Sequence, residues 1–242
     1  MPQIEIKNLK VSYFNESIET LALDDVNVSF INEKIAAVIG PSGCGKSTLI
    51  RTICGFLNYQ GEIVVDGVDY SLLDFKERNI SYVDQFVTLN PNLDVYNNMA
   101  APLIFNKVKR MEIDKRVKEV ASKLGISRFL SLFPAQLSAG QCQLSLLAKS
   151  LVKKPKLLLL DEAFSSLDEE SKSRFISTVE EQQKENSLTV IFISHKYEEI
   201  YQFADYVVTM EKGKINKIID RNDKSFNYLK EIMENSKSIL YE

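Results

Sequence analysis

The chain has 242 residues, 26% of them charged and 45% hydrophobic, with a net charge of −3 and a sequence pI near 5.5. Such values are ordinary for a globular protein able to bury a sizeable core, and they argue against a surface built for duplex nucleic acid. Three cysteines, Cys44, Cys54 and Cys142, lack C-x-x-C spacing, which points to a reducing compartment and no disulfide framework. No apolar run reaches the roughly 18 to 20 residues of a membrane-spanning helix. The first residues, Met1 to Ile6, hold no basic stretch followed by an apolar one. A cytosolic chain, free to dock on a membrane protein, is therefore expected.

In chain order, Ile4, Ile6 and Leu9, then Val26, Val28 and Phe30, alternate as strand residues do. Ile35 to Ile39 is a short apolar run suited to a buried strand, and Ser47 to Cys54 reads as the helix after it. Gly61 to Gly67 encloses another strand, and Ile80 to Val83 a further one. The period then changes. Ile113, Val117, Val120, Ala121 and Leu124 share one helical face that Gly125 ends. A helix is expected from Gln141 to Val152, an apolar strand at Leu157 to Leu160, and a helix with one polar side from Glu169 to Lys184. Val190 to Ile193 and Val207 to Met210 read as buried strands, and a short helix is expected around Phe226 to Met233.

Alternation of this kind implies an α/β protein with a parallel sheet wrapped by helices. The expected organisation is a single domain over 1–242, with an inserted helical subdomain at about 86–150 and a polar segment at about 222–242.

Three short stretches carry chemistry. Gly40, Pro41, Ser42, Gly43, Cys44, Gly45, Lys46 and Ser47 spell G-x-x-x-x-G-K-S, with Thr48 next. Glycines let consecutive N–H groups turn inward as an anion nest, and the following helix directs its positive end at the phosphates. Lys46 can reach the β- and γ-phosphates and the Ser47 hydroxyl can ligate Mg²⁺, so the ligand is a nucleoside triphosphate. Cys44 contributes a backbone N–H there. Next, Leu157 to Leu160 runs into Asp161 and Glu162, which places a carboxylate at a strand's carboxyl end. Asp161 suits Mg²⁺, and Glu162 suits a water in line with the γ-phosphate. The third stretch, Ser138-Ala139-Gly140-Gln141, makes a nest or an N-cap ahead of a helix.

In this order the motifs resemble the nucleotide-binding subunits of ATP-binding cassette transporters, from about Ile4 to Gly213. The resemblance implies a P-loop NTPase core with an N-terminal antiparallel β subdomain, ATP and Mg²⁺ as ligands, and a second cassette, the same chain or a different one. It implies that Ser138, Gly140 and Gln141 of one cassette contact ATP held by the other. It also implies that Tyr13 stacks on adenine, with Phe14 as the alternative, and that Gln85 senses Mg²⁺ and water. Ser165 to Asp168 would cross between cassettes, and His195, the only histidine, would bond the γ-phosphate.

The chain departs from the family pattern at Ala139, Cys142, Leu144, Ala163 and the turn Asn32-Glu33-Lys34. Residues 81 to 99 resemble importer subunits for sugars and related polar solutes, without the regulatory domain that usually follows in that group. Phe86, Leu89, Leu93, Val95 and Tyr96 are candidates to line a groove for a membrane subunit, or to pack the inserted subdomain. The expected function is an ATPase powering solute import at the cytoplasmic face of the membrane. Its expected partners are transmembrane permease subunits and, through them, a solute-binding protein, with no nucleic acid. The alternatives are a weakly hydrolysing regulatory partner in a heterodimer and an efflux or lipoprotein-release ATPase.

Overall fold

A computed structural model describes residues 2–15, 18–73, 78–84, 88–231 and 233. The first half contains β1 (Pro2–Asn15), β2 (Ile18–Ile31), β3 (Ile35–Ile39), α1 (Lys46–Cys54), β4 (Gln60–Val65), β5 (Val68–Asp69) and β6 (Ile80–Val83), then α2 (Val95–Phe105) and α3 (Arg110–Lys123). The second half contains α4 (Ala139–Leu151), β7 (Leu157–Asp161), α5 (Glu169–Asn186), β8 (Thr189–Ile193), α6 (Tyr197–Phe203), β9 (Tyr206–Glu211) and β10 (Lys214–Asp220). These elements form two compact units, Met1–Ile80 with Thr189–Glu242, and Ser81–Leu188.

The first unit holds two kinds of sheet. One is antiparallel, in the order β2-β1-β4-β5. Its alternating residues Ile4, Ile6, Leu9, Val26, Val28 and Phe30 are all buried, as the period-two pattern requires. Register shifts interrupt β1 against β2 at Ile6/Leu9, Leu9/Val11 and Val11/Ser12, and such bulges re-aim the strand end that carries Tyr13. The other sheet sets β3 between β8 and β9, parallel to both, with β10 antiparallel on β9. Every residue of β3 and β8 is buried, which is why these strands read as unbroken apolar runs.

The second unit is mostly helical, with α2 packed on α3 and α4, and β7 lying beside β6. Asn98, fully buried, ties the approach to α2 together. Its amide donates to the carbonyls of Asn90, Leu93 and Asp94 at 2.9–3.0 Å and accepts from Asn90 N at 2.7 Å. Of the groove candidates, Leu89 and Val95 are core residues, because Val95 opens α2 and its N–H is bonded inward to Leu132 O. Leu93 and Tyr96 are half-exposed, and Phe86 lies outside the described residues. Past β10 the chain forms a 3-10 turn at Lys224–Tyr228 and is α-helical from Leu229 to Glu231, within the short helix expected around Phe226 to Met233. Among the described residues, no helix is long and apolar enough to cross a membrane.

Candidate functional site

The phosphate-type loop joins β3 to α1 inside the first unit. Two of its glycines are required by close approach. A Cβ on Gly40 would lie 2.1 Å from Met210 O, and one on Gly45 would lie 2.7 Å from Ala22 O. Both also take positive φ, +153° and +106°. Gly45 is the N-cap of α1 and supplies no side-chain cap, and the first intrahelical bond is Leu49 N to Gly45 O. The N–H groups of Lys46, Ser47 and Thr48 are thus left by helix geometry to whatever lies at the N-terminus. A cradle closed to side chains, lined by N–H donors and carrying a lysine, fits a polyphosphate.

Lys46 is only 6% exposed, and its ammonium donates to Gly40 O and Pro41 O, each at 2.8 Å. This curls the side chain over the loop it belongs to. The Cys44 N–H closes a turn onto Pro41 O at 3.3 Å, and its carbonyl accepts from Gly213 N at 3.0 Å. The thiol is buried 3.9 Å from the Lys46 ammonium. Burial pushes its pKa up and outweighs that cation, so the group is a poor nucleophile. Tyr13 is 41% exposed and its hydroxyl lies 3.2 Å from Thr48 Oγ1, while Phe14 is largely exposed.

His195 lies in the turn between β8 and α6 of the same unit. Ser194 Oγ donates to Glu199 Oε2 at 2.5 Å and accepts from Lys196 N at 3.1 Å. Lys196 Nζ also lies 3.6 Å from Glu199 Oε1. The residues on both sides of His195 are therefore fixed to α6 through a carboxylate that is 8% exposed.

In the second unit β7 ends at Asp161, which is 6% exposed, and Glu162 follows with φ +54°. A left-handed glutamate directly after a buried strand is a sparsely populated conformation of the kind that collects at functional sites. Ser138 caps α4 in a reciprocal box, its Oγ accepting from Gln141 N at 3.3 Å and its N–H donating to Gln141 Oε1 at 3.0 Å. Accepting through Oγ leaves the Ser138 proton available to an acceptor outside the helix, whereas the Gln141 carbonyl oxygen is committed to the cap.

Gly140 is needed by proximity, since a Cβ there would sit 2.7 Å from Ser166 O. Asp168 is the N-cap of α5, accepting from Ser171 N at 2.7 Å, and that bond holds its carboxyl below the usual carboxylate range. Ser138, Gly140, Gln141, Ser166 and Asp168 share one cavity of about 530 Å³. The structure thus brings the third motif and the 165–168 stretch together within one unit.

At the departures from the family pattern, Ala163 is fully buried and its carbonyl accepts from Gln143 Nε2 at 2.9 Å. Leu144 is also buried, and Glu33 takes φ +57° in the Asn32–Lys34 turn. Gln85 lies outside the described residues.

A β-sheet core with a glycine-cradled, uncapped helix N-terminus and capped accessory loops is the build of a nucleotide-binding α/β cassette. The chain belongs to the ABC transporter family, whose model matches residues 23–165. It is similar to the molybdate/tungstate import ATP-binding protein WtpC of Pyrococcus abyssi (strain GE5 / Orsay), with 35% identity over 213 residues, 88% of this chain and 62% of that protein.

The spermidine/putrescine import ATP-binding protein PotA of Mannheimia succiniciproducens is 35% identical over 88% of this chain and 57% of its own length. That of Lawsonia intracellularis is 37% identical over 89% and 58%. The chain thus spans between 57% and 62% of the length of these relatives.

Among solved structures, the dimeric post-hydrolysis state of the ATP-binding cassette MJ0796 bound to ADP and Pi is similar with a TM-score of 0.83 and 26% identity, over 91% of this chain and 99% of that one. An ATP binding subunit of an ABC transporter shares the fold with a TM-score of 0.84 at 21% identity, over 97% and 99%.

Proposed function

We propose that this chain binds and hydrolyses ATP to power import of a polar solute through partner membrane subunits, acting at the cytoplasmic face of the membrane as one of two paired cassettes. The observation that carries the reading is the closed glycine cradle on the uncapped N-terminus of α1, with the Lys46 ammonium bonded to the carbonyls of Gly40 and Pro41. Import is supported by the names of the relatives, which are import ATP-binding proteins for an oxyanion and for polyamines.

In this reading the N–H groups at the start of α1 and Lys46 hold the triphosphate, and Tyr13 receives the base. Glu162 accepts a proton from the attacking water, and His195 holds the γ-phosphate. The order of motifs along the chain, carried over from the family, is what assigns these groups to one reaction. Ser47, Asp161 and Gln85 are the groups to hold Mg²⁺, whose chemistry is to neutralise charge building on the phosphates. Ser138, Gly140 and the 165–168 stretch face the nucleotide of the second cassette.

Two experiments test this. Affinity purification from detergent-solubilised native membranes should recover multi-spanning membrane proteins together with the chain. Recovery of soluble partners alone would overturn the transport reading while leaving the nucleotide reading in place. The second concerns Glu199, which acts on catalysis through the His195 turn as a positioning residue. Glu199→Ala is expected to lower kcat about ten- to a hundredfold with ATP affinity nearly unchanged, and Glu199→Gln, which still accepts from Ser194, to recover most of it. Unchanged kcat in Glu199→Ala would remove that role.

A further inference from the structure

The contact between Tyr13 and Thr48 joins two parts of the nucleotide site that sequence reading treats separately. Tyr13 belongs to β1, where it pairs with Thr20 of β2, beyond the last register shift. Thr48 belongs to the first turn of α1, is 9% exposed, and stands two residues after Lys46. Their hydroxyl oxygens lie 3.2 Å apart across 35 residues of sequence.

A phenol is a stronger hydrogen-bond donor than an aliphatic alcohol, so the tyrosine proton belongs on the Thr48 oxygen. That leaves the Thr48 proton to be donated elsewhere. The backbone of Thr48 is already engaged at its carbonyl, which accepts from Thr52 Oγ1 at 2.7 Å. The Thr48 hydroxyl belongs to the first turn of α1, the helix end where backbone N–H groups carry positive potential and which Lys46 opens. An anionic oxygen drawn there is the natural acceptor.

We propose that Tyr13 acts on the phosphates as well as on the base: its hydroxyl orients the Thr48 hydroxyl as a donor to a phosphate oxygen of the bound nucleotide. The proposal rests on the reading of Gly40–Thr48 as the ATP site. The chain Tyr13 O–H to Thr48 O–H to phosphate polarises along its length, since each donor is itself an acceptor. Tyr13 is in this respect a positioning residue, and the ring and the hydroxyl have separable parts. A phenylalanine in its place keeps the stacking face and loses the orienting bond. This gives the chain a direct mechanical and electrostatic link from β1, in the antiparallel sheet, to the helix that holds the phosphates.

The test is a double-variant cycle of ATP and ADP affinity, read by calorimetry on the full chain without turnover. Tyr13→Phe is expected to weaken ATP binding about three- to tenfold, the size of one hydrogen bond to a charged acceptor. Thr48→Val should weaken it at least as much, and the double variant no more than Thr48→Val alone. Thr48→Ser keeps the hydroxyl, and in that background Tyr13→Phe should cost as much as it does in the wild type. Wild-type affinity in Tyr13→Phe, or losses that multiply in the double variant, would overturn the proposal. Lys46→Ala separates this from the underlying reading. If it binds ATP like the wild type, the ATP site itself has been misassigned; if it loses binding while the cycle is additive, only the Tyr13–Thr48 link falls.

Discussion

Glu162→Gln is expected to retain ATP binding and to lose turnover by about two to four orders of magnitude. Glutamine has nearly the same shape and occupies the same position after β7, so the backbone turn at φ +54° is asked to do nothing new. What changes is proton affinity. A carboxylate one residue beyond a buried apolar strand can take a proton from water as that water attacks phosphorus, and a neutral amide cannot. The neighbouring Asp161, 6% exposed at the end of β7, stays in place to hold its own contacts. Steady-state phosphate release and equilibrium ATP affinity, measured on the same preparation, separate the two effects. Turnover near the wild-type rate would remove Glu162 from its role. Loss of affinity together with turnover would make it a binding residue instead.

The second large effect is a contrast within one loop. Gly40→Ala is expected to lower the melting temperature by roughly 10 °C or more and to abolish nucleotide binding, since overpacking against backbone has no soft neighbour to yield. The new Cβ would fall 2.1 Å from Met210 O, a main-chain atom held in β9 between β3 and β10. Gly43→Ala meets nothing within 4 Å and faces only its φ of +77°. Its cost is the left-handed backbone alone, about 1–2 kcal/mol, or a few degrees of melting temperature. Calorimetric unfolding of both variants checks the ordering. Equal effects would show that the loop's glycines serve conformation alone and that the wall behind Gly40 is compliant.

The strands buried on both faces were the most legible part of the chain. Ile35–Ile39 has the bounds its apolar run predicts, and β7, β8 and β9 each extend the expected run by a residue or two. Burial on both faces leaves no room for polar residues, so such strands announce themselves. β10 was not legible, because Lys-Ile-Asn-Lys-Ile-Ile-Asp buries only Ile219 and reads as a polar linker. The helix α2 had a usable signal in its Asp94 N-cap, bonded to Asn97 N, with Val95, Met99 and Leu103 spaced along one face. Pro102 inside it argued the other way, but the helix ends within a turn of that residue.

At the site, the glycine-lysine loop and the Asp161-Glu162 pair are written locally and were read directly. The Tyr13–Thr48 bond and the carboxylate of Glu199 beneath the His195 turn were not. The first depends on bulges in β1 and the second on the direction in which α6 leaves β8, neither of which any short stretch specifies.

The wall behind the phosphate loop also sets a schedule for biosynthesis. Ile35 of β3 pairs with Val190 of β8 and Ala36 with Tyr206 of β9, and Gly213 N binds the Cys44 carbonyl. A ribosome adding about 5–20 residues per second delivers the complete loop sequence on the order of ten seconds before it delivers those partners. During that interval β3 is an apolar ribbon with both edges unmet, a natural substrate for chaperones and a hazard for misassembly. The wall that Met210 O forms behind Gly40 and the Gly213 bond to Cys44 are not in place until β9 and the turn into β10 arrive. Completion of this loop is therefore a late event, set by residues more than a hundred positions further along the chain.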